Sequence, residues 1–132
     1  MKNFIILIFC FLFLTSVKCK KENECHREIT ILNKSNRTVI CAHNMKNYVG
    51  NCNLSGTVIK PSESYEDGTR DCWESEIYDQ RYYDLYIIDT SKYNAPMIFF
   101  SCDSIEIMNI VLKHYVLTLD ELKKNNFTIS YP

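Results

Sequence analysis

The sequence is short of the residues that interrupt regular structure. Three Gly and three Pro in 132 residues exclude a collagen-like or low-complexity chain. It also lacks a dominant charge, since fifteen basic and sixteen acidic side chains leave a net charge of -1. Without a field of one sign, nothing in the composition attracts nucleic acid or an acidic membrane surface. No apolar run approaches the ~20 residues of a spanning helix; the longest is Phe4 to Leu14. No C-x-x-C pair, H-E-x-x-H motif or internal repeat occurs, which removes the strongest signatures of a zinc site and of a repeat architecture. What is present is apolar and aromatic: 46% hydrophobic residues, with nine Tyr and seven Phe, enough for a globular core.

The run from Phe4 to Leu14 follows Lys2 and is ended by Lys18, Lys20 and Lys21. It has the length and flanks of a signal-peptide core. Residues 1–19 therefore read as an export leader. Cys19 comes after the apolar run, as in a lipoprotein leader, and a lipidated Cys19 would begin the mature chain, although Lys18 stands where such leaders carry a small residue. Cleavage after Cys19, giving a soluble secreted protein, is the alternative. Residues 20–27 read as a polar tether and residues 28–132 as one β-rich domain, of a size that buries a core of its own.

Along that domain, Ile29-Thr30-Ile31 and Thr38 to Ala42 read as a β-hairpin around the turn at Asn33 to Asn36. His43 to Ser55 and Ser62 to Asp71 read as polar connections, with a short strand from Thr57 to Pro61 between them. Cys72 to Tyr78 suits an edge strand or an irregular segment. Tyr83 to Asp89 is the strongest strand. Leu85 and Ile87 point to one face and Tyr86 and Ile88 to the other, so both faces should be covered. Asp103 reads as the N-cap of a short helix over Ser104 to Asn109, with Ile105 and Met108 on one side. Thr118-x-x-Glu121 is a capping box, Asn125-Asn126 stops that helix, and Phe127 to Tyr131 alternates as a closing strand with Phe127, Ile129 and Tyr131 inward. The expected fold is mainly β, a single sandwich-like domain with two short helices near the C-terminus. An open sheet with helices on one face is the runner-up.

Seven cysteines stand at 10, 19, 25, 41, 52, 72 and 102. In an exported chain they are staples before they are catalysts, so Cys25, Cys41, Cys52, Cys72 and Cys102 are disulfide candidates. Cys52 with Cys72 is a bridge that would restrict the unfolded chain by about 3 kcal/mol. Cys25-His26, Cys41-x-His43 and His114 bring together ligand types, but without a metal-binding spacing. No metal, cofactor or catalytic residue is expected. Glu63, Glu66, Asp67, Asp71, Glu74 and Glu76 crowd the middle of the chain. They read first as a solvated surface and second as an acid–base site. Tyr78, Arg81, Tyr82, Tyr83 and Tyr93 are of the types that binding surfaces favour, and they are also ordinary strand residues. Asn33, Asn36, Asn53 and Asn126 begin N-glycosylation acceptor triplets, used only in a eukaryotic host.

Cys72-Trp73-Glu74, Leu112 to Leu122 and Thr128 to Pro132 together resemble a group of Bacteroides-type envelope lipoproteins. Those chains carry a leader with a Cys, a central Cys-Trp-Glu and an ending such as LKRYDLTLEDLKKLNWTITYP. Here His114 replaces the usual Arg, Val116 an Asp and Phe127 the Trp. The resemblance implies a place in the cell envelope, at the outer membrane or cell surface, through a lipid anchor. It implies no activity. Asp103-Ser104-Ile105 also fits the short O-glycosylation acceptor of such bacteria, with Ser104 as the modified residue. The combined expectation is a non-enzymatic binding or structural module with an envelope protein or glycan as partner. A secreted hydrolase or hydrolase inhibitor using the acidic middle of the chain is the alternative.

Overall fold

The computed structural model describes residues 25–46, 52–93 and 99–132. The leader, most of the tether and Cys19 lie outside the described residues. Among those described, the chain is mainly β, with two sheets and three short helices. In order these are β1 (Glu28–Asn33), β2 (Val39–Lys46), β3 (Cys52–Ile59), β4 (Ser64–Gly68), α1 (Trp73–Gln80), β5 (Tyr83–Asp89), β6 (Phe99–Ser101), α2 (Cys102–Ile107), β7 (Val111–Leu117), α3 (Leu119–Lys124) and β8 (Thr128–Tyr131). A single 3-10 turn, Thr90–Lys92, follows β5.

The larger sheet runs β6-β3-β2-β5-β7 and is antiparallel throughout; the smaller runs β4-β1-β8. In the smaller sheet β1 pairs antiparallel with β4 and parallel with β8. The expected β1–β2 hairpin does not form, because the two strands belong to different sheets. The cause lies at Asn33, which is almost fully buried. Its amide donates to the carbonyls of Arg37 at 2.8 Å and Ile59 at 3.1 Å, while its Oδ1 accepts from the Ser35 N–H and hydroxyl. The turn is thus tied to the end of β3 and carries the chain across to the larger sheet.

Strand β5 meets its expectation. Tyr83, Leu85 and Ile87 enter a core shared with Ile29 and Ile31 of β1, Ile129 of β8, Trp73 and Ile77 of α1 and Leu122 of α3. Tyr86 and Ile88 face the other way, onto Ala42, Leu54, Ile105 of α2 and Ile110. The first core therefore lies between the sheets and the second lies on the outer face of the larger sheet.

Several segments differ from the sequence expectation. Cys72 to Tyr78 belongs to a helix: Trp73 and Ile77, four residues apart, are both buried, while Tyr78 is exposed. Glu74 and Glu76 in its first turn suit the positive end of the helix, and Arg81 ends it in the left-handed conformation at φ 71°. Ser64–Gly68 is an edge strand within the expected connection, polar because one of its faces meets solvent. His43 to Lys46 and Cys52 to Ser55 extend β2 and β3 rather than forming a loop, because each pairs across the sheet. Helix α2 begins at Cys102, and Ser101 rather than Asp103 caps it, its Oγ accepting from the Ser104 N–H at 3.2 Å. Ile105 is buried but Met108 is exposed, so they do not share a packed side.

The C-terminal unit is as expected. Thr118 accepts from the Glu121 N–H, and Glu121 accepts from the Thr118 N–H at 2.8 Å. Asn126 and Phe127 both adopt positive φ of 51°, which turns the chain so that Phe127 and Ile129 are buried and Tyr131 packs against the same core.

The disulfide expectation needs correction. Cys72 is bonded to Cys25, not to Cys52. Glu28 pairs with Gly68, so continuing that ladder outward brings the residue before β1 beside the residue after β4. Cys41 is a free, buried thiol in mid-β2, where its cross-strand neighbours are Thr57 and Ile87. Cys102 is disulfide-bonded; the side chain of Cys52 lies outside the described residues.

Candidate functional site

Alternation along β2 puts Cys41 and His43 on one face, and that face looks into the space between the sheets. Ser55 on β3 is the cross-strand partner of His43. From the smaller sheet, Tyr65 and Asp67 of β4 point back toward them. These five side chains and Gly68 line a cavity of about 210 Å³ whose apolar wall is Ile31 and Leu85.

Asp67 is the centre of the arrangement and is 4% exposed. Its Oδ2 accepts from the Tyr83 hydroxyl at 2.5 Å and lies 3.1 Å from His43 Nδ1. Its main-chain carbonyl accepts from Trp73 Nε1 at 3.2 Å. The rings interlock behind it: Trp73 meets Tyr83 edge-on at 5.3 Å, and His43 stacks on Tyr83 at 5.6 Å. A buried carboxylate is tolerable only when donors meet it in this way.

Burial, reinforced by the same carboxylate, sets its neighbours' protonation. Burial, and then the Asp67 charge, push the Cys41 thiol up to about 12. Burial, followed by Asp67, also raises Tyr83 well above the usual phenol range. Both groups stay protonated at neutral pH. Cys41 is thus a neutral wall of the cavity rather than a thiolate nucleophile.

Two further histidines repeat the pattern outside the cavity. His26 Nδ1 lies 2.6 Å from Glu74 Oε1, and the His26 N–H donates to Glu74 Oε2 at 3.0 Å. The His26 ring stacks on Phe127 at 3.9 Å. Burial alone would raise the Glu74 carboxyl, but these hydrogen bonds outweigh it and hold the group below its ordinary value. On the outer face of the larger sheet, His114 Nε2 pairs with Asp84 Oδ1, Asn44 donates to Asp84 Oδ2 at 3.0 Å, and His114 stacks on Tyr86 at 4.0 Å. Each of the chain's three histidines therefore has a carboxylate partner and an aromatic platform.

The other acidic residues of the middle segment do not converge. Glu63 accepts from the Lys60 N–H at 3.1 Å and Glu76 from the Thr69 hydroxyl at 3.4 Å. Glu66 and Asp71 are exposed. Only Asp67 reaches the cavity. Cys25 is consumed by its disulfide, and among the described residues no three His, Cys, Asp or Glu side chains are grouped to hold a metal. Ser104 is half-buried on α2 with its Oγ 2.5 Å from Ser101 Oγ. Of the Tyr and Arg residues, Tyr78 is exposed and Tyr83 belongs to the core. Sequence reasoning missed the His43–Asp67–Tyr83 centre, although Cys41-x-His43 at strand spacing was a usable sign of two residues sharing a face.

No protein-family model, curated protein or solved structure matches the chain.

Proposed function

We propose that the chain is an exported envelope lipoprotein whose sandwich-like domain acts as a non-enzymatic binding or structural module. The observation that carries the binding reading is the cavity between the sheets. It gathers hydrogen-bonding side chains around a buried carboxylate, while its one thiol is kept protonated and unreactive. Such concave sites with a few convergent polar groups on an apolar wall are the usual form of ligand pockets. The Cys25–Cys72 bridge supports export, since disulfides persist in oxidising compartments. Cys19 after the leader supports the anchor. Partners of an envelope protein or glycan type fit the exposed setting, and none of the basic character that nucleic acid requires is present.

Fractionation of cells expressing the wild-type chain and Cys19→Ala tests the anchor. The wild type is expected in the envelope pellet and the variant in the soluble fraction; identical distributions would refute lipidation.

One observation favours the hydrolase alternative. Ser55, His43 and Asp67 line a single cavity, with Ser55 opposite His43 in register, a set that recurs in acyl-transfer enzymes. Labelling of Ser55 by a fluorophosphonate, lost in His43→Ala, would replace the non-enzymatic reading with this one.

A further inference from the structure

We propose that the cavity between the sheets is a binding site for a small alkylammonium ion, held by the Asp67 carboxylate and the Tyr65 ring. This rests on the binding-module reading and adds to it the class of ligand.

Charge selects the class first. Asp67 is the one acid among the lining residues, and neither Lys nor Arg lines the cavity. The base nearest to it, His43, already has its Nδ1 on Asp67 Oδ2. The remaining polar groups there are the Ser55 and Tyr65 hydroxyls and the protonated Cys41 thiol, all neutral. A phosphate or carboxylate ligand would meet Asp67 with only the His43 ring, already engaged on Oδ2, to offset the repulsion, whereas a cation meets its counter-ion. The Asp67 side chain is only 6% exposed, so water screens that attraction weakly.

Hydrogen-bonding capacity and shape agree. Both described contacts to the carboxylate fall on Oδ2, and a carboxylate offers about four acceptor sites over its two oxygens. Oδ1 carries none of the described contacts. Ile31 and Leu85 supply an apolar wall for alkyl groups, and Tyr65 lines the same cavity with a ring of the type that attracts a cation. The volume of about 210 Å³ corresponds to roughly seven waters at their liquid density. That is room for an ion the size of choline.

The test is an NMR titration of the full chain, disulfides intact, with choline and with its neutral isostere 3,3-dimethylbutan-1-ol. Choline is expected to shift the amides of Ser55, Tyr65 and Gly68 saturably, and the isostere to bind at least about tenfold more weakly, equivalent to ~1.4 kcal/mol. Ser55→Leu fills the cavity without touching the Asp67 contacts and should abolish binding. Should that variant not fold, Tyr65→Leu keeps the apolar volume and removes the ring, so choline should weaken about tenfold while the isostere is unchanged. Equal binding of the two probes, shifts confined to other residues, or no shift at all overturns the assignment. The fractionation of Cys19→Ala is independent of this result. Loss of choline binding in an envelope-anchored protein removes the ligand class alone, and a soluble protein that binds choline removes the anchor alone.

Discussion

The contact between Tyr83 and Asp67 offers the sharpest test of how the core is organised. Both residues are almost fully buried, and the hydroxyl donates to Oδ2 at 2.5 Å. Tyr83→Phe deletes the donor and leaves the carboxylate with one partner fewer, which should cost about 1.5–3 kcal/mol for a hydrogen bond to a charged group. Asp67→Asn preserves volume but removes the charge, leaving the phenol and His43 without their anionic acceptor. A loss of about 3–5 kcal/mol follows from breaking a buried pair on one side. The double variant removes both halves of the Tyr83–Asp67 contact, so that His43 alone is left without its anionic acceptor. Its cost should fall short of the sum of the singles by about 1.5–3 kcal/mol. Urea unfolding followed by tryptophan emission reads this directly. Trp73 is the chain's single tryptophan, it donates to the Asp67 carbonyl, and it meets the Tyr83 ring. Effects that add within about 0.5 kcal/mol, with unchanged denaturant slope, would show that this hydrogen bond does not organise the site.

Four further outcomes are expected. The Cys25–Cys72 bridge closes a sequence separation of 47, so Cys25→Ser/Cys72→Ser should lose about 4 kcal/mol, and an unchanged melting temperature would show that the ladder alone holds β1 against β4. Cys41, with its thiol pushed up to about 12, should resist iodoacetamide in the folded chain and react once urea unfolds it, as read by intact mass; rapid native labelling would contradict its burial. Because that thiol is raised above its unfolded value of 9.0, its contribution is complete below pH 9 and is lost as pH rises through the folded value. Cys41→Ala should therefore flatten the alkaline limb of the stability curve. Conversely, hydrogen bonds hold Glu74, Asp89 and Glu121 below their ordinary values. Their contribution is present above the ordinary carboxylate range and lost as pH falls beneath it, and Glu74→Gln should soften the acid limb measured by tryptophan emission.

The parts of the fold that were legible in the sequence are those written locally. Tyr83 to Asp89 alternates apolar side chains on both faces and proved to divide the two cores. Thr118 and Glu121 stand at the spacing of a capping box and form one. The assignment of strands to sheets was not legible, because it turns on the Asn33 side chain, and nothing local marks that residue as the one that reaches the end of β3. Helix α1 was concealed because Cys72 provides no side-chain cap, so the start signal was missing while Trp73 and Ile77 carried only one period. The cavity was least legible. Asp67 looks no different in sequence from Glu63, Glu66 or Asp71, and only the pairing of β4 with β1 turns it inward toward a histidine on another sheet.

The parallel pairing of β8 with β1 has a consequence for the order of events during synthesis. β1 is the first of the described strands to be made and β8 the last, so the smaller sheet cannot be completed until Thr128 to Tyr131 have left the ribosome. For that interval Ile29 and Ile31 have no β8 neighbour, and β1 presents an open edge of the kind that invites pairing with another chain. Cys72 is made well before Thr128. A bridge from Cys25 formed at that stage would hold β4 on one side of β1, leaving a single vacant edge with the register that Thr128 to Tyr131 must fill.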